Sequence, residues 1–302
     1  MRDLVIIGAG PAGLSAGIYG KRAGLDTLII DESCVGGGQV LTTYDVDNYP
    51  GLPGISGMEL GSRLYDHAKA AEVEFMPAFF NGIETDGDVK RLLTDEGIVE
   101  CRTLIIATGA VHNHLGIPGE EELGGMGVSY CATCDGAFFR NRTAAVIGGG
   151  DVALEDALFL ARGCSKVYLI HRRDEFRGAA KLVKAVTDTD NIEVIYDSVA
   201  VKINGEDQVE SLVIKNVKTN AESVINLDGV FIAVGTHPVT DYLKGVIDMD
   251  EAGYIIADES GITNIPGVFA AGDVRKKRLR QIVTAASDGA NAVHSAVEYL
   301  NA

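Results

Sequence analysis

Apolar positions along the chain fall in short unbroken runs rather than long stripes. Leu4-Val5-Ile6-Ile7 and Leu104-Ile105-Ile106-Ala107 have the length and composition of strands buried on both faces. The first run ends at Gly8-Ala9-Gly10-Pro11-Ala12-Gly13. The pattern then predicts a helix closing near Gly24, with Pro11 in its first turn and glycine past its end. A second strand, Asp26 to Ile30, finishes at Asp31. The arrangement recurs downstream as Val146-Ile147, the turn Gly148-Gly149-Gly150-Asp151-Val152-Ala153, a helix to Gly163, and a strand from Lys166 to Ile170 that finishes at His171.

Each copy is followed by alternating residues broken by turn signals, Asp86-Gly87 and Glu96-Gly97 in the first, Asn204-Gly205 and Thr219-Asn220 in the second. These predict β-meanders. Both stretches close on a buried strand ending in glycine, at Gly109 and Gly235, so a whole unit is duplicated. A third strand-to-glycine turn, Val268 to Gly272-Asp273, leads into a helix from Gln281 to Leu300 without opening another βαβ unit, and is expected to complete the first domain. The predicted fold is α/β, with two Rossmann-like dinucleotide-binding domains of three-layer sheets and β-meanders. The second, residues 112–245, is inserted into the first, residues 1–111 and 246–302.

The glycines carry a phosphate-binding logic: Gly8 allows the tight turn, Gly10 lets backbone approach a diphosphate, and Gly13 lets helix pack on strand, so that the helix N-terminus faces the phosphates. Gly148, Gly150 and Ala153 repeat the pattern. One such turn is a weak signal, but two with matching offsets are strong. Asp31, with Glu32 as a second candidate, can accept hydrogen bonds from an adenosine ribose, which implies an unphosphorylated ribose as in FAD or NAD. At the equivalent place the second copy has His171, followed by Arg172, Arg173 and Arg177. Guanidinium groups pair with a phosphate dianion in forked geometry, so this site reads as built for the 2′-phosphate of NADPH.

The 302 residues accommodate two domains, at roughly 100–200 residues each. Hydrophobic and charged fractions of 46% and 23% exclude disordered and fibrous classes. No apolar run approaches the ~20 residues of a membrane span. Only Met1-Arg2-Asp3 precedes the first strand, so no signal peptide and a cytoplasmic address are expected. Lys and Arg total 26 against 43 Asp and Glu, a net charge of −17 that argues against nucleic-acid binding.

The 5 cysteines are too few and too scattered for a disulfide framework, but Cys131-Ala132-Thr133-Cys134 stands apart. A structural zinc site needs about four ligands and there is no second Cys-x-x-Cys. His112 and His114 suit a domain linker, so no metal is expected. A Cys-x-x-Cys pair can instead exchange with a partner disulfide. Cys34, Cys101 and Cys164 read as idle thiols. The run Arg275-Lys276-Lys277-Arg278-Leu279-Arg280 fits a solvated turn, attraction of cofactor phosphates, or docking of an acidic protein.

Taken together, the first glycine turn, Gly37-Gly38-Gln39, Asp45-Val46-Asp47-Asn48-Tyr49-Pro50-Gly51, Val128-Ser129-Tyr130-Cys131 through Cys134-Asp135-Gly136, His171 to Arg177, and Gly272-Asp273 through Arg280-Gln281 to Ala285 resemble the low-molecular-weight thioredoxin reductases over nearly the whole chain. The resemblance implies a homodimer, FAD in the discontinuous domain, NADPH in the inserted one, and a redox-active disulfide delivering electrons to thioredoxin. It implies that Cys134 lies against the flavin, that Cys131 attacks the substrate disulfide, and that Asp135 manages the thiol proton. Gln39, Asn48, Arg280 and Gln281 would lie near the flavin, and Gly272-Asp273 on its ribityl or diphosphate side. The inserted domain is expected to rotate, with hinges near Gly109-Ala110 and Gly245.

Two positions depart from the family: Val152 replaces a hydroxyl residue, and the loop before Gln39 has an extra glycine. Relatives of similar fold, a dithiol oxidase and a ferredoxin-dependent reductase, would be expected to lack the arginine cluster. An alkyl-hydroperoxide reductase subunit would carry an additional N-terminal module, and a glutathione-reductase type would have a cysteine pair near Cys34. A non-catalytic flavin sensor would leave Cys131, Cys134 and Asp135 unexplained.

Overall fold

The computed structural model describes residues 1–33, 35–43 and 46–302; Cys34, read above as an idle thiol, and Asp45 of the family motif lie outside them. The chain runs β1 (Arg2–Ile7), α1 (Pro11–Arg22), β2 (Thr27–Asp31), α2 (Gly57–Ala70), β3 (Glu74–Pro77), β4 (Phe80–Asp86), β5 (Val89–Thr94), β6 (Gly97–Ile106) and β7 (Ala110–His112). It continues with β8 (Val128–Ser129), α3 (Ala132–Asp135), β9 (Thr143–Gly148), α4 (Asp151–Ala161), β10 (Lys166–Ile170), α5 (Ala180–Thr187), β11 (Ile192–Ile195), β12 (Ser198–Asn204), β13 (Ser211–Asn216), β14 (Glu222–Asn226), β15 (Gly229–Ala233), β16 (Thr236–Pro238), β17 (Val268–Ala270) and α6 (Ile282–Asn301). Two compact units result, Met1–Val111 with His237–Ala302, and His112–Thr236.

In the first unit, β3, β2, β1 and β6 are parallel neighbours, β17 joins β6 in parallel, and β6 runs on into an antiparallel meander with β5 and β4. The continuous apolar runs follow from burial on both faces. Leu4, Ile6, Ile29 and Ile105 pack with Leu14 and Ala16 of α1 and with Ala292, Val293 and Ala296 of α6, whereas the alternate residues Val5, Ile7, Ile30 and Ile106 meet Leu92, Leu243, Ile247 and Ile255. Gln281 and Thr284 form a capping box that starts α6 where the sequence places it.

The second unit repeats the plan. Its sheet is β11-β10-β9-β15-β8, all parallel, and β12-β13-β14 form the separate meander. Ala144, Val146 and Leu169 pack on Ala153, Leu154, Ala157 and Leu160 of α4. On the other face Ala145, Ile147, Ile170 and Ile232 meet Ile203, Leu212 and Ile214 from the meander. This is a three-layer stack of helix, parallel sheet and meander.

The return crossing differs from the expected position after Gly245: it falls at Thr236/His237. Residues 237–245 belong with the first unit because they pack there. Val239 donates its N–H to the Gly109 carbonyl at 3.1 Å, its own carbonyl accepts from Thr108 Oγ1 at 2.8 Å, the Tyr242 ring meets Phe80 edge-on at 4.8 Å, and Leu243 is fully buried.

Candidate active site

In the first unit the chain turns from β1 into α1 through Gly8, whose φ of +103° and whose position against the Ala107 carbonyl admit no side chain. Gly13 sits directly over the Gly8 carbonyl, where a Cβ would approach it to 1.8 Å. A Cβ on Gly10, by contrast, would meet nothing within 4 Å. Gly10 starts α1 without a side-chain cap hydrogen bond, and a helix start of this kind suits an anion.

Asp31 at the end of β2 accepts the Ala9 N–H at 2.6 Å and the Ser33 N–H at 2.8 Å, one on each oxygen. Its carboxylate therefore braces the glycine turn, and Glu32 next to it is exposed.

The C-terminal segment brings the other expected residues to the same unit. Gly272 (φ +80°) packs against Ala12 Cβ. Asp273 Oδ1 is buried without a hydrogen-bond partner, and burial pushes this carboxyl upward despite Lys277 and Arg280. Arg280 lies over the Tyr254 ring at 4.0 Å and donates to the Asp273 carbonyl at 3.4 Å. Asn48 Nδ2 donates to Gln281 Oε1 at 2.8 Å, joining two motif residues far apart in sequence. Gln39 lies in a short 3₁₀ turn, Gly38–Thr42.

A cluster that sequence reasoning missed supports this turn. Asp288 of α6, 5% exposed, accepts the Gly272 N–H at 3.0 Å, two bonds from Arg275 at 2.8 Å each, and one from Lys277 at 2.7 Å. The Arg275 and Lys277 side chains are 3% and 4% exposed. The basic run is thus not a solvated turn throughout, because two of its cations are consumed inside by a carboxylate whose signal was only an Asp among alanine, serine and glycine neighbours in α6.

In the second unit a Cβ on Gly148 would clash with the Ala233 carbonyl and with Ala153, while one on Gly150 would meet nothing within 4 Å. Val152 is exposed at the start of α4. Arg172, Arg173 and Arg177 are all exposed, and the Arg177 N–H donates to the Gly149 carbonyl at 2.9 Å, which ties this arginine to the turn. His171 departs from the expectation that it faces a cofactor. It is 6% exposed, its Nε2 bonds the Glu175 carbonyl at 2.9 Å, its ring stacks on Phe176, and it walls in Gly149. The imidazole is turned inward by this packing, while the three arginines remain exposed.

Cys131 and Cys134 are joined as a disulfide, with Cα atoms 5.3 Å apart. Cys131 caps the single turn α3, and its carbonyl accepts the N–H groups of Cys134 and Asp135 at 3.2 and 3.1 Å. Asp135 Oδ2 accepts from Ser129 Oγ at 2.5 Å. Tyr130 is held by Glu120, to which its hydroxyl donates at 2.8 Å, and by His114 at 2.9 Å, while His112 stacks on its ring. Burial works to raise Glu120, but N–H donors from Leu115, Gly116 and Ile117 together with Tyr130 hold it below the usual carboxylate range. Burial, with the neighbouring His114, lowers His112. Cys101 and Cys164 are buried thiols pushed up to about 12 and about 11, chiefly by desolvation, and so stay protonated and unreactive.

A family model, "Pyridine nucleotide-disulphide oxidoreductase", matches residues 2–289. The chain belongs to this family. This pyridine nucleotide-disulphide oxidoreductase is 43% identical over 299 residues to the thioredoxin reductase of Listeria innocua, covering 99% of this chain and 93% of that one. It is 40% identical over 299 residues to the thioredoxin reductase of Bacillus subtilis, covering 99% and 94%. The crystal structure of thioredoxin reductase from Streptococcus pyogenes matches with a TM-score of 0.95 at 45% identity, covering 100% of this chain and 98% of that one. The cofactors of this family are FAD and NADPH, and the observed residues fit both: uncrowded Gly10 and Gly150 at two helix starts, an orphaned buried oxygen on Asp273, and an exposed arginine cluster. Among the described residues no helix is long and apolar enough to cross a membrane.

Proposed function

We propose that the chain is a thioredoxin-disulfide reductase, passing electrons from NADPH through FAD and the Cys131–Cys134 disulfide to thioredoxin. The observation that carries this reading is the bonded cysteine pair at the start of a single helical turn, with Asp135 beside it, in the same unit as a dinucleotide turn and three exposed arginines. A dithiol oxidase or a ferredoxin-dependent reductase would have no use for those arginines.

Bound FAD and NADPH supply a two-electron path from nicotinamide to the disulfide. Gly8, Gly10 and Gly13 with the α1 N-terminus receive the FAD diphosphate, Glu32 with Asp31 the ribose, and Asp273 on the Gly272 turn a hydroxyl or phosphate group. Gln39, Asn48, Arg280 and Gln281 orient the flavin. Gly148, Gly150 and Ala153 receive the NADPH diphosphate, and Arg172, Arg173 and Arg177 its 2′-phosphate.

In the reduced enzyme the Cys131 thiol loses its proton to Asp135 and the thiolate attacks the thioredoxin disulfide. Cys134, as thiolate, then breaks the mixed disulfide; the enzyme disulfide re-forms and thioredoxin leaves with two thiols, having taken up the two protons that the cysteines gave up. The proposal includes a symmetric two-fold dimer and a cytoplasmic site of action.

Anaerobic titration of the flavin-loaded protein with NADPH, followed by oxidised thioredoxin, tests this reading. Bleaching by NADPH and stoichiometric reoxidation by thioredoxin are expected; bleaching with no response to thioredoxin would overturn it.

A further inference from the structure

Ser129 ends β8 with 6% of its surface exposed, and its hydroxyl touches both sides of the exchange chemistry. Oγ lies 2.5 Å from Asp135 Oδ2 and accepts the Cys131 N–H at 3.0 Å. The Cys131 carbonyl, at 3.4 Å, is a competing acceptor. A hydroxyl has one proton to give. O–H···O⁻ bonds to a carboxylate are short, about 2.5–2.7 Å, and roughly twice as strong as neutral ones, while 3.4 Å exceeds the usual O–H···O range of about 2.5–3.0 Å. The proton therefore goes to Asp135.

Serine oxygens that accept an N–H two residues on are common local turn devices, and such a device needs only a lone pair. Here the donor proton is committed as well, to the carboxylate of a residue on the next element. The one oxygen thus fixes the backbone of the attacking cysteine and the side chain of the acid with respect to each other.

We propose that Ser129 is a positioning residue for disulfide exchange: it holds the Asp135 carboxylate in register with Cys131, so that the thiol proton has a fixed acceptor. The proposal rests on the role given to Asp135 above. A side chain in α3 has its own rotamer choices, and the hydrogen bond from Ser129 favours the one in which the carboxylate meets that hydroxyl.

General acid–base groups contribute roughly 10²–10⁴-fold to rate; mispositioning one, rather than deleting it, is expected to forfeit about 10- to 30-fold. Ser129→Ala should lower kcat for thioredoxin reduction by that factor, with KM for thioredoxin and the rate of flavin bleaching by NADPH unchanged. Ser129→Thr, which restores the hydroxyl, should recover most of the loss, and its isostere Ser129→Val should not; this second pair gives the comparison should the alanine variant fold poorly.

The decisive arm is the cycle with Asp135→Asn. If Ser129 acts through Asp135, adding Ser129→Ala to Asp135→Asn costs less than twofold further. Independent losses that multiply would overturn the proposal, as would a Ser129→Val variant with the activity of Ser129→Thr. Full activity in Asp135→Asn alone would refute the role of Asp135 itself, whereas an impaired Asp135→Asn with an unimpaired Ser129→Ala would refute only the role of Ser129.

Discussion

Replacing Asp288 with Ala removes the carboxylate that hydrogen-bonds both Arg275 and Lys277 inside the first unit. Those cations are 3% and 4% exposed, against 5% for Asp288. The other anion near Arg275, Glu259, is 88% exposed and contributes little, as surface pairs do. The variant therefore leaves two buried cations without the buried carboxylate they hydrogen-bond and orphans the Gly272 N–H.

Breaking a buried pair from one side costs about 3–5 kcal/mol. At about 2–4 °C per kcal/mol for a unit of this size, Tm should fall by roughly 10 °C. Glu259→Ala should leave it within ~2 °C. Thermal unfolding of the cofactor-stripped protein followed by circular dichroism at neutral pH reads the effect, and titration with FAD reads the consequence for the Asp273 turn. The sign of the pH dependence is also fixed. Burial alone raises Asp288, but hydrogen bonds from Arg275 and Lys277 outweigh it and hold its folded-state value below the ordinary aspartate range. The stabilisation is thus complete above about pH 4 and is lost as pH falls through the lower folded value, a loss absent from the variant. A Tm change for Asp288→Ala no larger than that for Glu259→Ala would refute the reasoning.

Three further outcomes follow from the geometry. Arg172→Ala with Arg173→Ala should reduce kcat/KM for NADPH by at least ~10-fold, since charge-assisted pairs contribute about 1.5–3 kcal/mol each, and should spare NADH; equal use of the two nucleotides by the parent protein would remove the cluster from the account. Asp156 is raised to about 7 by burial, with Glu155 adding to the shift. A carboxyl raised on folding stabilises most below its unfolded value and loses that contribution as pH rises through its folded value, so Asp156→Asn should gain stability over the parent between about pH 4 and 7 and level off above, by ~1 kcal/mol or more at pH 8; denaturant melts across that range check it. Light scattering at micromolar concentration should give twice the mass of one chain, and a monomer would contradict the proposed dimer.

Much of this was legible in the sequence because it is written locally. Runs such as Leu4 to Ile7 and Lys166 to Ile170, punctuated by glycine, specify strand, turn and helix by sterics alone, and both glycine turns adopt the tight packing their spacing implies. Side-chain commitments set by tertiary contacts were not legible. His171 occupies the place of Asp31 in the repeat, yet packing on Gly149 and Phe176 turns its ring inward. Arg275 and Lys277 look like surface charge until α6 delivers Asp288 to them. The return crossing was misplaced because Gly245 resembles a boundary, while Leu243 and Tyr242 are claimed by a core whose other members lie far away in sequence. Ser129 was visible in its motif, but its bond to Asp135 depends on the fold of α3.

The central claim is that electrons reach thioredoxin only through Cys131 and Cys134, and the rate of NADPH-dependent thioredoxin reduction by the two single serine variants tests it most directly. Exchange through a mixed disulfide needs an attacking and a resolving thiol. Both Cys131→Ser and Cys134→Ser should therefore lose at least ~10³-fold in thioredoxin reduction while NADPH still bleaches the bound flavin. Near-normal thioredoxin reduction by either variant would contradict the account and move the exchange to another thiol of the chain.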